Sequence, residues 1–256
     1  MADNALAPLA PFVRKLGSWR RFDEADQAAI LSLPFTLRSF ESGEFIVSEG
    51  LPPTHVCLLR CGYLYRQKIV GSGARQILAI HIPGDVADLH NALLNYSDHS
   101  VQALTAGEAA MIPREAVVAL ADARPRVGMA MWHETLVDAA VLREWTTNIG
   151  RRTAQARLAH MLCELMVRLR AAGEAGGTAY EIPMSQEQLA DCTGMTAIHL
   201  NRMLMSLERA GAIARRGRSV SILDWRKLAK LGDFDEAYLH LPVRTRQTDK
   251  HLEAAE

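Results

Sequence analysis

The sequence predicts an α+β chain: a small all-β barrel or sandwich, then a long helix, then a smaller unit of helices and a hairpin. Three observations carry that reading. Short apolar runs broken by turn residues fill residues 36 to 112, as expected of closely spaced strands. After Pro125 the pattern becomes helical for more than forty residues. Beyond the Gly- and Ala-rich "AAGEAGGTAY" come two short amphipathic helices and two β runs that flank a glycine.

Taken in order, "EADQAAILSLPF" reads as a helix ahead of the strands, which are carried by "EFIVSEG", "HVCLLRCGYLYRQKI", "RQILAIHIPGDVADL" and "VQALTAGEAAMIP". Within the long helical stretch Met129, Trp132, Leu136, Ala139 or Ala140, and Leu142 fall near a heptad seam. An apolar stripe of that length finds a partner helix, which predicts a homodimer with Met129, Trp132, Leu136 and Ala139 at its interface. The stretch is too long for one average helix, so a break is expected at Asn148-Ile149-Gly150. "AAGEAGGTAY" is the expected hinge, and the polar tail from Val243 is expected to be disordered.

With 256 residues, half of them hydrophobic, the chain has ample material for a packed core. No run approaches the roughly 18 apolar residues of a membrane span, and the N-terminus lacks the order of a signal peptide. The expected location is the cytoplasm, with no membrane partner. The 29 basic and 29 acidic residues balance, so any nucleic-acid function has to rest on a local patch. The four cysteines are scattered. Only Cys57 and Cys61 lie close, and on an extended strand they stand about 13 Å apart, too far for a shared metal or disulfide unless the chain turns between them.

The local patch lies near the C-terminus. In "MSQEQLADCTGM" Ser185 and Gln188 form a capping-box pattern, and Gly194 ends the helix. Thr196 then caps "AIHLNRMLMSL", whose Leu200, Met203, Leu204 and Leu207 make an apolar stripe while Ala197, Ile198, Asn201 and Arg202 lie opposite. Two short helices joined by a tight glycine turn form a helix-turn-helix, whose second helix enters the major groove of DNA. Arg202 can bond guanine or clamp a phosphate, Asn201 can read adenine, and Ala197 and Ile198 can pack on thymine methyls. His199, beside that face, suits a phosphate or a structural hydrogen bond. "GAIARRGRSVSIL" follows as a hairpin tipped by Arg215, Arg216 and Arg218, a wing whose arginines meet the phosphate backbone. Between Ser185 and Arg218 five arginines face three acids, so the patch is positive in a neutral chain.

With these parts in this order, the sequence resembles the bacterial cyclic-AMP receptor protein and fumarate-nitrate regulator (Crp/Fnr) superfamily of transcription factors. "ESGEFIVSEG" and "IPGDV" look like its cyclic-nucleotide-binding-type β-roll, and "SQEQLADCTGMTAIHLNRMLMSLERAGAI" like its winged helix. "TAIHLNRML" and the trailing "ILDWRKLAKLGDFDEAYLHL" are similar to a subgroup whose effectors are mostly unassigned. The resemblance covers roughly residues 15 to 225. It implies an effector-type β-roll domain with N-terminal helices (1–122), a dimerisation helix and hinge (123–172), a winged helix-turn-helix (173–230) and a partly disordered extension (231–256). It also implies double-stranded DNA and RNA polymerase as partners, and no enzymatic activity. Ala197, Ile198 and Arg202 fall where the family contacts bases, and Ser185 and Gln186 where its first helix meets phosphate; Thr196, His199, Asn201, Arg216 and Arg218 complete the expected DNA-binding set. Only Arg202 keeps the archetype's chemistry, so the operator should differ from that of the nucleotide-responsive members.

The effector remains unknown at this level. Members that bind cyclic AMP pair a Gly-Glu with the ribose and an Arg-Ser or Arg-Thr with the phosphate, whereas this chain offers Asp88-Leu89-His90 and His99-Ser100. Asp88, His99 and Ser100 are the candidate effector residues. A histidine with an ordinary pKa of about 6.5 is a poor substitute for a permanent cation, which speaks against cyclic AMP. An iron–sulfur cluster is disfavoured because the first cysteine is Cys57, and haem on His81, His90 or Cys57 has only lone ligands to offer. A cupin-type metal enzyme needs a His-x-His pair, and none occurs; no metal site is read from the spacing.

Overall fold

The computed structural model describes residues 7–241; the tail expected to be disordered from Val243 lies outside them. Two compact units are present. Residues up to Lys68 with Ala79–Ala139 form the first, and Ile69–Leu78 with the residues from Ala140 onward form the second.

The first unit begins with helices α1 (Ala10–Gly17) and α2 (Glu24–Leu31), the latter capped by Asp23, whose side chain accepts from the Asp26 N–H. Eight strands follow: β1 (Thr36–Phe40), β2 (Phe45–Val47), β3 (His55–Cys61), β4 (Leu64–Ile69), β5 (Arg75–His81), β6 (Val86–Ala87), β7 (Ser100–Ala103) and β8 (Gly107–Pro113). They build two four-stranded sheets, ordered β1-β8-β3-β6 and β2-β7-β4-β5. The continuous apolar run in β3 is explained by burial on both faces. Cys57 and Leu59 join Phe40, Leu64 and Val101 in one core, while Val56 and Leu58 join Phe12, Leu16 and Ile30 of the helices in another. A β-bulge between Leu59 and Cys61 breaks the alternation, so Cys57 is buried and Cys61 exposed. The turn comes after Cys61, at Gly62 (φ +82°), where a Cβ would sit 2.6 Å from the Ala106 carbonyl oxygen.

Helices α3 (Arg114–Ala123) and α4 (Pro125–Arg151) complete the roll. In α4 the stripe that docks on the roll is Val127, Ala130 and Met131. Met129, Trp132 and Leu136 are left 45%, 59% and 51% exposed, Ala139 is half-buried and Ala140 buried. The helix runs past Asn148–Gly150 and ends at Arg151, so the expected break comes later, at Arg152-Thr153. The reason is local: Thr153 caps the next helix by accepting from the Ala156 N–H, whereas the Asn148 side chain is used in donating to the Arg157 carbonyl.

That next helix, α5 (Ala154–Ala172), is the centre of the second unit. Around it lie β9 (Ala179–Glu181), α6 (Gln186–Thr193), α7 (Ala197–Arg209), β10 (Ile213–Arg216), β11 (Ser219–Ile222), α8 (Trp225–Gly232) and a 3-10 turn, Glu236–Leu239. The expected hinge is shorter than its composition suggests. Ala179 and Tyr180 are strand residues, because β9 pairs with β11 and the buried Tyr180 hydroxyl donates to the Leu162 carbonyl at 2.8 Å. Gly232 lets α8 reach α5 closely, since a Cβ there would lie 2.6 Å from the His160 nitrogen. Tyr238 then donates to Glu164 (2.7 Å), which also accepts from Trp145 (2.9 Å). Residues 231–241 of the extension are therefore built into this unit. Residues 69–78, from the β4–β5 hairpin, group with it too: Arg75 pairs with Asp191 at 2.7 Å, and Gln76 donates to the Asp191 carbonyl.

Candidate functional site

The helix-turn-helix is set by its caps. Ser185 accepts from the Gln188 N–H (3.2 Å) while the Gln188 side chain accepts from the Ser185 N–H (2.8 Å), a closed capping box at the start of α6. Gly194, at φ +61°, turns the chain. Thr196 begins α7 by accepting from the His199 N–H. Leu200, Leu204 and Leu207 are buried on one side of α7 and Met203 half-buried. Thr196, Ala197, Ile198, His199, Asn201 and Arg202 are all exposed on the N-terminal part, and Ile198 reaches 72% exposure.

Strands β10 and β11 pair in register from Ile213↔Ile222 to Arg216↔Ser219, with Gly217 at φ +63° in the turn. Arg216 and Arg218 are exposed at this tip. Arg215 is not, which corrects the reading of a three-arginine tip. It turns back to Glu208 at 2.8 Å and holds that carboxyl below its usual range, chiefly through the hydrogen bond itself. The alternation of β10 puts neighbouring side chains on opposite faces, so two successive arginines cannot both point outward. Ser185 and Gln186 are exposed at the start of α6.

A second constellation lies in the roll. Arg66 on β4, 5% exposed, donates through Nε (3.1 Å) and Nη2 (2.9 Å) to Asp88 Oδ1, and through Nη1 to Asp138 (3.0 Å). Asp88 is 2% exposed and holds a left-handed backbone (φ 60°, ψ 43°) ahead of the 3-10 turn Leu89–Ala92. His99 bridges two carboxylates, with Nε2 2.9 Å from Asp88 and Nδ1 2.6 Å from Asp98. Burial disfavours the charged form of Asp88, but the His99 hydrogen bond and the Arg66 charge outweigh it and hold the carboxyl far below its usual range. Burial likewise opposes a charge on His99, yet Asp88 raises its pKa. His81 is pushed down to about 4, first by burial and then by Arg66, and His90 is lowered by burial. Of the candidate effector residues, Asp88 and His99 are brought together. Ser100 is used elsewhere, its hydroxyl accepting from the Glu49 N–H at 3.0 Å.

The family described as Cyclic nucleotide-binding domain matches residues 37–124, and the Crp-like helix-turn-helix domain matches residues 156–231. The chain belongs to the Crp/Fnr superfamily of bacterial transcription regulators. Among its relatives, the nitrogen fixation regulation protein FixK of Bradyrhizobium diazoefficiens is 29% identical over 186 residues, 72% of this chain and 77% of that protein. The transcriptional activator protein FnrL of Cereibacter sphaeroides is 26% identical over 218 residues, 83% and 87% of the two chains. The solved structure of FixK2 from Bradyrhizobium japonicum superposes with a TM-score of 0.73 at 26% identity, covering 78% of this chain and 98% of that one. The Crp/Fnr frame explains the order of parts: β-roll, long helix, winged helix-turn-helix. No described helix is long and apolar enough to cross a membrane.

Two features of the roll in this Crp/Fnr chain are not legible in the sequence: the place of Arg66 and the meeting of His90 with Asp88 and His99. Arg66 places a permanent cation inside the roll, and no motif marks it, since it sits in an ordinary strand. His90 joins Asp88 and His99 only because β6 with its following turn and β7 come together in the fold. The one available signal was the density of Asp and His between 85 and 99.

Proposed function

We propose that this Crp/Fnr regulator acts as a homodimer on a palindromic operator. The N-terminal side chains of α7 read bases, and the β10–β11 wing holds the backbone. The observation that supports it is the exposed set Ala197, Ile198, Asn201 and Arg202 at the capped start of α7, beside Arg216 and Arg218 on an adjoining hairpin tip. Helix N-terminal residues reach base edges in this mode, and hairpin arginines neutralise phosphates. Ser185 and Gln186 at the start of α6, with Thr196 and His199, are backbone contacts. The face of α4 formed by Met129, Trp132, Leu136 and Ala139 joins two copies, which spaces the half-sites roughly 34 Å apart. A regulator of this kind works in the cytoplasm and acts on RNA polymerase, with no catalytic step of its own.

Fluorescence anisotropy on an operator and a scrambled duplex, at several salt concentrations, separates the two kinds of contact. Arg202→Ala costs about 1–3 kcal/mol on the operator and relaxes preference at one base pair per half-site. Arg216→Ala or Arg218→Ala weakens both duplexes alike and lowers the salt slope by about 0.9 for each phosphate that is no longer neutralised. If Arg202→Ala weakened both duplexes equally while the wing variants lost only sequence preference, the two assignments would be exchanged.

Cyclic AMP is not the effector in this reading. The roll has its buried guanidinium, but Arg66 is already bound by Asp88 and Asp138. A cyclic phosphate would have to displace a carboxylate from it and leave that charge unpaired. Calorimetry with cyclic AMP is expected to show no binding at micromolar concentration. Binding at that level, with a matching gain in operator affinity, would overturn this.

A further inference from the structure

Asp88, His90 and His99 each present a ligand atom, and these atoms all lie within 4.8 Å of one another. Two imidazoles and a carboxylate are a donor set for divalent transition metals, with bonds near 2.0–2.2 Å and ligand atoms roughly 3–3.5 Å apart. His99 Nε2 and Asp88 Oδ1 already stand at 2.9 Å. We propose that Asp88, His90 and His99 form a binding site for one divalent transition-metal ion of the imidazole-favouring class: cobalt, nickel, zinc or ferrous iron.

Four further observations fit the site to a metal. Asp98 sits on His99 Nδ1 at 2.6 Å, the carboxylate–histidine arrangement that fixes the tautomer and leaves Nε2 as the ligand. The opposite nitrogen then faces a carboxylate oxygen, and two acceptors at 2.9 Å need a proton or a cation between them. Charge also favours an ion. Asp88 and Asp138 share one guanidinium, Arg66, and Asp98 lies on the far side of His99, while Lys68 is held by Glu49 and the Asp98 carbonyl. Once an ion has displaced the proton between His99 and Asp88, three carboxylates against one guanidinium leave an excess of two negative charges, which one divalent ion offsets. Among the described residues Arg66 occupies only Oδ1 of Asp88, and Oδ2 has just the long 3.4 Å contact from Asn91 Nδ2. Finally, Asn91 is fully buried with its Oδ1 unpartnered, an oxygen acceptor beside the carboxylate where an ion or its bound water would satisfy it.

His90 is half-buried and makes no side-chain hydrogen bond among the described residues, so it can swing onto an ion without breaking one. The expectation drawn from spacing alone, that no metal site exists, is therefore revised: the ligands come from two segments that the fold joins rather than from one His-x-His strand.

The test uses the full-length protein, stripped with a chelator and titrated without DNA, so its outcome is separate from the operator experiment. Cobalt(II) is the probe, read by its visible absorption when bound to nitrogen ligands, followed by zinc competition. One ion per chain at micromolar affinity or tighter is expected. His90→Ala should weaken it at least about 10-fold, and Asp98→Asn, which loosens only the orientation of His99, by about 10–100-fold. His90→Ala removes no hydrogen bond, and an unchanged circular dichroism spectrum confirms that it folds. Absence of a cobalt spectrum at millimolar ion, or affinity unaltered in both variants, overturns the proposal.

Discussion

Replacing Arg66 by alanine is expected to destabilise the roll by about 3–5 kcal/mol. Among the described residues Arg66 is the sole guanidinium on Asp88, a carboxylate with 2% exposure that is bonded on one oxygen by both Nε and Nη2. Among the described residues, removing the cation leaves the buried carboxylate with hydrogen bonds from His99 and Asn91 but no permanent positive charge, and much of its desolvation cost then stands uncompensated. Asp138, more exposed, loses its partner more cheaply. Urea denaturation of the intact chain at pH 7 measures the effect. The double variant Arg66→Met/Asp88→Asn is the diagnostic companion. It removes both charges, keeps the aliphatic volume, and places asparagine at a left-handed position that asparagine tolerates. It should recover most of the loss. A cost under about 1 kcal/mol for Arg66→Ala, or no recovery in the double variant, would mean that the ion pair is not what holds the cluster.

The second large effect concerns assembly. Trp132→Asp is expected to shift the protein from dimer to monomer in light scattering at micromolar concentration, and to weaken operator binding by at least about 100-fold. Trp132 is 59% exposed on one subunit and flanked by the similarly exposed Met129 and Leu136, while the opposite face of α4 is already buried in the roll. The substitution therefore leaves the subunit's own core untouched and places a charge in the seam. The loss on DNA follows from avidity: two linked reading heads gain roughly 100- to 10,000-fold over one, and a monomer forfeits it. A variant that remains dimeric with full operator affinity would place the subunit interface elsewhere.

What the sequence alone determined is the part of the protein built from neighbours in the chain. Ser185 with Gln188, Gly194 and Thr196 specify a helix-turn-helix within twelve residues, because caps and a left-handed glycine act over three or four positions. The strand runs, the wing hairpin and the separation of the two faces of α4 follow from the same short-range periodicities. The tertiary structure decided what depends on distant segments. Three-residue β9 has too little alternation to announce itself and exists because β11 and the Leu162 carbonyl receive it. Arg215 turns inward because Glu208 waits on α7. Arg66, Asp88 and His99 are separated by 22 and 11 residues and meet only when β4 pairs with β7 and the turn after β6 folds against them. A charge cluster gains its strength from being dry, and dryness belongs to the packed whole rather than to any stretch of sequence.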